Sequence, residues 1–218
     1  AGLSSTAATT FLRGYEVKGS ALAVMARTPV SGRTKTRLQP GLTPGQCAAV
    51  SQAFLRDTIA LAVSLPQYTP FLAFTPGNSR KLFESLAPPG MELVPQTGGN
   101  LGQRMYHLMR SLGASEYSPV VVIGTDIPTL QPAILLQAIE ALKTSDLCLG
   151  PARDGGYYLI GARHADERIF RDIPWQLILF AYNARPCHSH DNVYHRVISY
   201  LIVEQRYYLK KHAYQAIS

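Results

Sequence analysis

Apolar residues in this chain come in short runs, separated by polar stretches rich in glycine and proline. Ala21 to Ala26 (ALAVMA) is one such run with breakers on both sides, the pattern of a strand buried on both faces. Thr43-Pro44 supplies a cap followed by proline in the first turn. From Gln46 to Ser64 the residues Ala49, Ala53, Ile59, Ala60 and Val63 recur at helical spacing. Phe71 to Phe74 predicts a second strand, Asn78 to Leu86 a short helix capped by Asn78, and Glu92 to Val94 a third strand. Leu101 to Leu112 predicts a helix stopped by Gly113. Pro119 to Gly124 (PVVVIG) is the clearest buried strand, and Pro132 to Lys143 the helix after it. Leu147 to Leu149 and Tyr157 to Ile160 complete two strands around Asp154-Gly155-Gly156.

Strands alternating with helices predict an α/β fold: a three-layer α/β/α sandwich with a mostly parallel central sheet. In such sheets ligands lie beyond the carboxyl ends of the strands, where the strand order reverses. Residues 1–20 are small and polar and are expected to be a disordered tail, without the sustained apolar stretch of about 7–15 residues that a signal peptide needs. Residues 21–175 carry no internal repeat or linker and form one expected domain. No apolar run approaches the roughly 20 residues of a membrane-spanning helix.

Composition adds a core and a compartment. The 218 residues are 46% hydrophobic and 16% charged, enough to bury a core and too apolar for general disorder. The three cysteines, Cys47, Cys148 and Cys187, lie far apart. This argues against a disulfide framework or a structural zinc site and for a reducing, cytoplasmic setting. The net charge is +7, but residues 44–175 are close to neutral. The excess lies at the two ends, which disfavours a general nucleic-acid binder.

Much of the leading excess falls in one loop after the first strand, Arg27-Thr28-Pro29-Val30-Ser31-Gly32-Arg33-Thr34-Lys35-Thr36-Arg37. Closely spaced cations with accessible backbone N–H groups suit a polyphosphate, although the loop equally fits a solvated basic turn and lacks the Walker A spacing. Gly124-Thr125-Asp126 follows the apolar fourth strand. A carboxylate there is hydrogen-bonded locally, caps a helix or holds a cation, and one carboxylate suffices for Mg²⁺ shared with phosphates. Gln96-Thr97-Gly98-Gly99-Asn100-Leu101-Gly102-Gln103-Arg104 is a glycine-rich loop entering a helix, though not a dinucleotide fingerprint. Gly150 to Tyr158, with Arg153 and Asp154, joins two strands and is either a tight turn or a fourth chemical loop. All four loops are expected on one edge of one sheet.

The segments ALAVMARTPVSGRTKTRL, QTGGNLGQRM, VVVIGTDIP, LGPARDGGYYLIG and IPW, collinear over about residues 21–175, together resemble the glycosyltransferase-A-like family of radical-SAM/selenodomain-associated transferases. More distantly they resemble the 2-phospholactate and molybdenum-cofactor guanylyltransferases. The resemblance implies the nucleotide-diphospho-sugar transferase fold. It implies nucleotide-phosphate contacts at Arg27, Gly32, Lys35 and Arg37, and nucleotide contacts at Gly98, Gly99, Gly102 and Arg104. It also implies a Mg²⁺ or Mn²⁺ site at Asp126 and an acceptor side at Asp154, Gly155 and Gly156. Lys35, Asp126 and Asp154 are the implied catalytic set. Asn100 stands where related sequences usually carry Asp. After Trp175, where related chains continue with WST and a DVDTPEDL-like segment, residues 176–218 diverge into a Tyr- and His-rich stretch, the expectation being a frameshifted, spliced or fused tail.

The implied chemistry is metal-dependent transfer from a nucleotide donor to a small-molecule acceptor, by positioning and electrostatics. Glycosyl transfer from a nucleotide sugar is slightly preferred by the family's usual label. Nucleotidyl transfer from a nucleoside triphosphate, with pyrophosphate release, is favoured by the density of cations. A non-catalytic nucleotide or polyanion binder is the rival from another class. Cys47 and Cys148 fit core positions, and His188, His190 and His195 near Cys187 fit a solvated tail better than zinc. Leu177, Ile178, Leu179 and Phe180 are a candidate homodimer surface or a last piece of core.

Overall fold

The computed structural model describes residues 17–151 and 157–170. Asp154, Gly155, Gly156 and everything after Phe170, including Cys187, the tail histidines and Leu177 to Phe180, lie outside the described residues.

Six strands form one sheet: β1 (Gly19–Arg27), β2 (Tyr68–Thr75), β3 (Glu92–Pro95), β4 (Tyr117–Ile123), β5 (Leu147–Pro151) and β6 (Tyr157–Ala162). Their spatial order is β3-β2-β1-β4-β6-β5. β1 pairs parallel with both β2 and β4, and β2 parallel with β3. β6 is antiparallel to both of its neighbours, so β5 points the same way as β1 to β4. The expected mostly parallel sheet is present.

Because side chains alternate along a strand, the two faces carry separate cores. Leu22 and Val24 of β1, Leu72 and Phe74 of β2, and Val121 and Ile123 of β4 face α1 (Pro44–Val63), α2 (Arg80–Glu84) and α4 (Pro132–Ala141). Ala21, Ala23, Phe71, Val120 and Val122 face α3 (Leu101–Ala114), which contributes Met105, Leu108, Met109 and Leu112. Helices therefore cover both faces, as the alternation predicts. On one of them Gly161 lets three side chains close in: a Cβ there would stand 2.8 Å from Cys148 Sγ and from Leu142 Cδ1.

Three local expectations are corrected. In α1, Thr43 caps as the sequence suggests, and the structure adds a reciprocal box with Gln46, but the buried residues are Cys47, Leu55, Thr58, Ile59 and Ala62. Ala49, Ala53, Ala60 and Val63 face outward. The helix is alanine-rich all round, so its larger side chains decide the buried face, and Thr58 tolerates burial by donating its hydroxyl to Phe54 O at 2.7 Å. Asn78 lies within a 3-10 turn (Gly77–Ser79) ahead of α2 and caps nothing. Gly113 is inside α3, and the chain leaves the helix at Glu116, whose left-handed φ of 71° breaks it.

Candidate functional site

β1 and β4 are the central neighbours whose connections leave in opposite directions, so their carboxyl ends flank the reversal of strand order. Arg27 ends β1, and Gly124-Thr125-Asp126 follows β4. The basic loop starts firmly: Thr28 donates its amide to Thr75 O at 3.0 Å, and its hydroxyl lies 2.8 Å from Ser79 Oγ. Val30 N to Thr34 Oγ1 (2.9 Å) and Arg33 N to Val30 O (3.1 Å) fold it into a turn containing Gly32 at φ +77°.

The turn delivers Lys35 in the left-handed region (φ 48°, ψ 42°), a conformation a non-glycine residue adopts at a cost. Its ammonium donates to Asp126 Oδ1 at 2.9 Å and lies 4.5 Å from the centre of the Phe54 ring on α1. The Lys35 side chain is 15% exposed and that of Asp126 84%. The lysine stem is thus covered while the carboxylate remains largely in solvent. The cation that Asp126 holds is Lys35 itself, and the cap of α4 is Gln131, so Asp126 has no capping duty. Arg27, Arg33 and Arg37 are exposed, and none has a carboxylate partner among the described residues.

The glycine loop is stitched to α3. Asn100 caps the helix by accepting from Gln103 N at 2.9 Å, Gln103 Oε1 accepts from Gly99 N at 2.9 Å, and Arg104 Nε donates to Gly98 O at 3.0 Å. Capping asks only for an acceptor oxygen, which Asn supplies without the charge of an Asp. Gly98, at φ +125°, is required: a Cβ would fall 2.9 Å from Gln103 Cβ and 3.0 Å from Arg104 N. Gly102 is buried in the first turn of α3, and His107 Nδ1 lies 3.1 Å from Thr97 O.

Two contributors escaped the sequence reading. Gln96 donates from Nε2 to Ala26 O at 3.2 Å and to Ala73 O at 2.7 Å, clasping the carboxyl ends of β1 and β2 beside the glycine loop. The only local sign is a polar residue directly after a strand. Phe54, the platform for Lys35, looks like one more apolar helix position. Lys35 and Asp126 therefore meet, with Arg27 and the two flanking loops on the same edge. Asp154 belongs to a connection whose ends, Pro151 and Tyr157, leave from that edge, but it lies outside the described residues.

The described residues hold no group of three or more His, Cys, Asp or Glu side chains able to cage a metal. Asp126, exposed at this edge, is a single carboxylate, and a Mg²⁺ held there would need its remaining ligands from outside the described side chains. Also among the described residues, no helix is long and apolar enough to cross a membrane.

Comparison with known proteins places this geometry in company. Residues 58–176 match the model of a family described as "Uncharacterized protein conserved in bacteria (DUF2064)". The chain is 26% identical over 142 residues to a 2-phospho-L-lactate guanylyltransferase of Natrialba magadii, covering 62% of this chain and 60% of that protein. It is 29% identical over 111 residues to a phosphoenolpyruvate guanylyltransferase of Streptomyces coelicolor, covering 50% and 51%. The chain thus spans about half to three-fifths of the length of these curated relatives. A crystal structure from Desulfovibrio desulfuricans G20, of a protein assigned as a nucleotide-diphospho-sugar transferase, superposes with a TM-score of 0.67 at 30% identity, covering 72% of this chain and 69% of that one.

Proposed function

The chain belongs to the DUF2064 family, and we propose that it transfers a nucleotidyl group from a nucleoside triphosphate, GTP above all, to a small phosphorylated acid. The observation that carries the reading is the Lys35–Asp126 pair at the strand-order reversal, on a loop whose Arg27, Arg33 and Arg37 have no acidic partner among the described residues. Support for the donor comes from the two curated relatives, both named as guanylyltransferases, and support for the acceptor from the phospho-acids in their names.

In this reading an acceptor phosphate oxygen attacks the α-phosphorus. A bond forms there while the bond from the α-phosphorus to the bridging oxygen breaks, and pyrophosphate leaves with that electron pair. Arg27, Arg33, Arg37 and Lys35 bind the phosphate chain and neutralise charge growing on the leaving pyrophosphate. Gly98 and Gly99 allow close approach of the nucleotide to the backbone, and Asp154 serves the acceptor side. Asp126 would hold a divalent metal, which when bound adds charge neutralisation at the phosphates. The other residues orient the reactants, so rate comes from positioning.

The experiment is pyrophosphate release from GTP with Mg²⁺ or Mn²⁺ and either 2-phospholactate or phosphoenolpyruvate, compared with ATP, CTP and UTP. Release that depends on both GTP and acceptor is the expected result, and its absence with every triphosphate would sink the proposal. Glycosyl transfer, the second reading, is favoured by the assigned name of the Desulfovibrio protein. It requires release of a nucleoside diphosphate from a nucleotide sugar.

A further inference from the structure

We infer that Lys35 is a place-holder on the metal carboxylate, so that divalent metal and nucleotide enter the site as a coupled pair. The inference rests on the proposed function and adds an order of events to it. Three observations carry it.

The Lys35 ammonium donates directly to Asp126 Oδ1, the carboxylate to which the proposed function gives a shared metal. The lysine is not a loose surface chain that happens to reach an acid. Its backbone is held left-handed at φ 48°, its side chain is mostly covered, and its charge lies over the Phe54 ring, so the geometry aims it. Finally, Arg27, Arg33 and Arg37 on the same loop and edge have no acidic partner among the described residues. A polyphosphate arriving there offers Lys35 a second anion within the same neighbourhood.

A monovalent ammonium and a divalent cation compete for one carboxylate. In the nucleotide-free protein Lys35 satisfies Asp126 and repels a second cation. When phosphates arrive, Lys35 has an alternative partner and Asp126 is released. Metal therefore gains affinity as nucleotide binds, and by linkage nucleotide gains the same factor from metal. Lys35 acts here as a positioning residue, distinct from its contact with the phosphates.

The test measures Mn²⁺ binding by calorimetry or paramagnetic resonance, with no turnover involved. Lys35→Met keeps an unbranched side chain of similar reach and removes the charge. Without nucleotide, Lys35→Met should bind Mn²⁺ about fivefold more tightly than the parent, the scale of an exposed ion pair, and the double variant Lys35→Met/Asp126→Asn should lose that gain. Equal Mn²⁺ affinity in Lys35→Met and parent, with GTP still raising Mn²⁺ binding in an Asp126-dependent way, would overturn the place-holder and leave the proposed function standing. Mn²⁺ binding in the presence of GTP that is indifferent to Asp126→Asn would overturn the metal reading and the place-holder together. Thermal unfolding of each variant separates these outcomes from misfolding.

Discussion

The side-chain amide of Gln96 lies 2.7 Å from the carbonyl of Ala73, so a residue leaving β3 closes the carboxyl end of β2, and through Ala26 that of β1. These carbonyls lie where the sheet gives way to loops, and the clasp sets the glycine loop against the basic one. Replacing Gln96 with Leu leaves both without this donor and should cost about 1–3 kcal/mol, read as a denaturant midpoint. Gln96→Glu should be worse, because it presents a carboxylate to carbonyl oxygens. A neutral Gln96→Glu would show that the clasp carries no weight.

Asp126 separates an enzyme from a polyanion binder. Asp126→Asn should lower pyrophosphate release by about a hundredfold or more while leaving salt-sensitive polyphosphate binding largely in place. Turnover at the parent rate in this variant would remove Asp126 from the chemistry.

Arg33 and Arg37 have no ion pair to lose among the described residues, so removing them should leave stability nearly unchanged. Each change to Ala should raise the KM for nucleotide about tenfold and flatten its dependence on salt. A drop in kcat at constant KM would assign them a different task.

Gly98 and Gly161 test the two kinds of glycine. At Gly98 alanine meets both a left-handed backbone and α3, and the loop should detach from the helix, raising KM as well as lowering stability. At Gly161 the obstacle is packing alone, against Cys148, Leu142 and Val121. Alanine there should cost about 1–3 kcal/mol with KM unchanged.

Burial pushes the Cys148 thiol up to about 12, only partly offset by the hydrogen bond to the Gly161 backbone. The native thiol holds its proton more tightly than the unfolded chain, whose thiol titrates near 9.0. The stability it contributes is complete below that pH and is lost as pH rises toward 12. Cys148→Ala should therefore show a shallower loss of stability between pH 9 and 11 than the parent; parallel curves would exclude the thiol as the source.

The buried strands were legible because each is an apolar run long enough to cross the sheet and no longer. The layer order followed, since alternation of strands and helices leaves few ways to cover both faces. The buried face of α1 was not legible, because alanines surround it and the choice falls to Leu55 and Ile59 packing against distant strands. At the site, the basic loop and Asp126 could be read as charged residues after strands. Their pairing could not, being a contact between segments 91 positions apart. The Gln96 clasp and the Phe54 platform were hidden for the same reason.

The strand order also has a consequence in time. β1 lies against β2 near it in the chain, Ala21 opposite Thr69, and against β4 far from it, Ala21 opposite Val120. Synthesis delivers Lys35 well before Asp126, and the long loop closure between them comes with a larger entropic cost than the β1–β2 pairing. A chain caught with only its first half folded carries a dense, uncompensated basic loop. The β1–β4 pairing also brings the Asp126 carboxylate to Lys35, so joining the two central strands and neutralising the lysine of that loop are a single event.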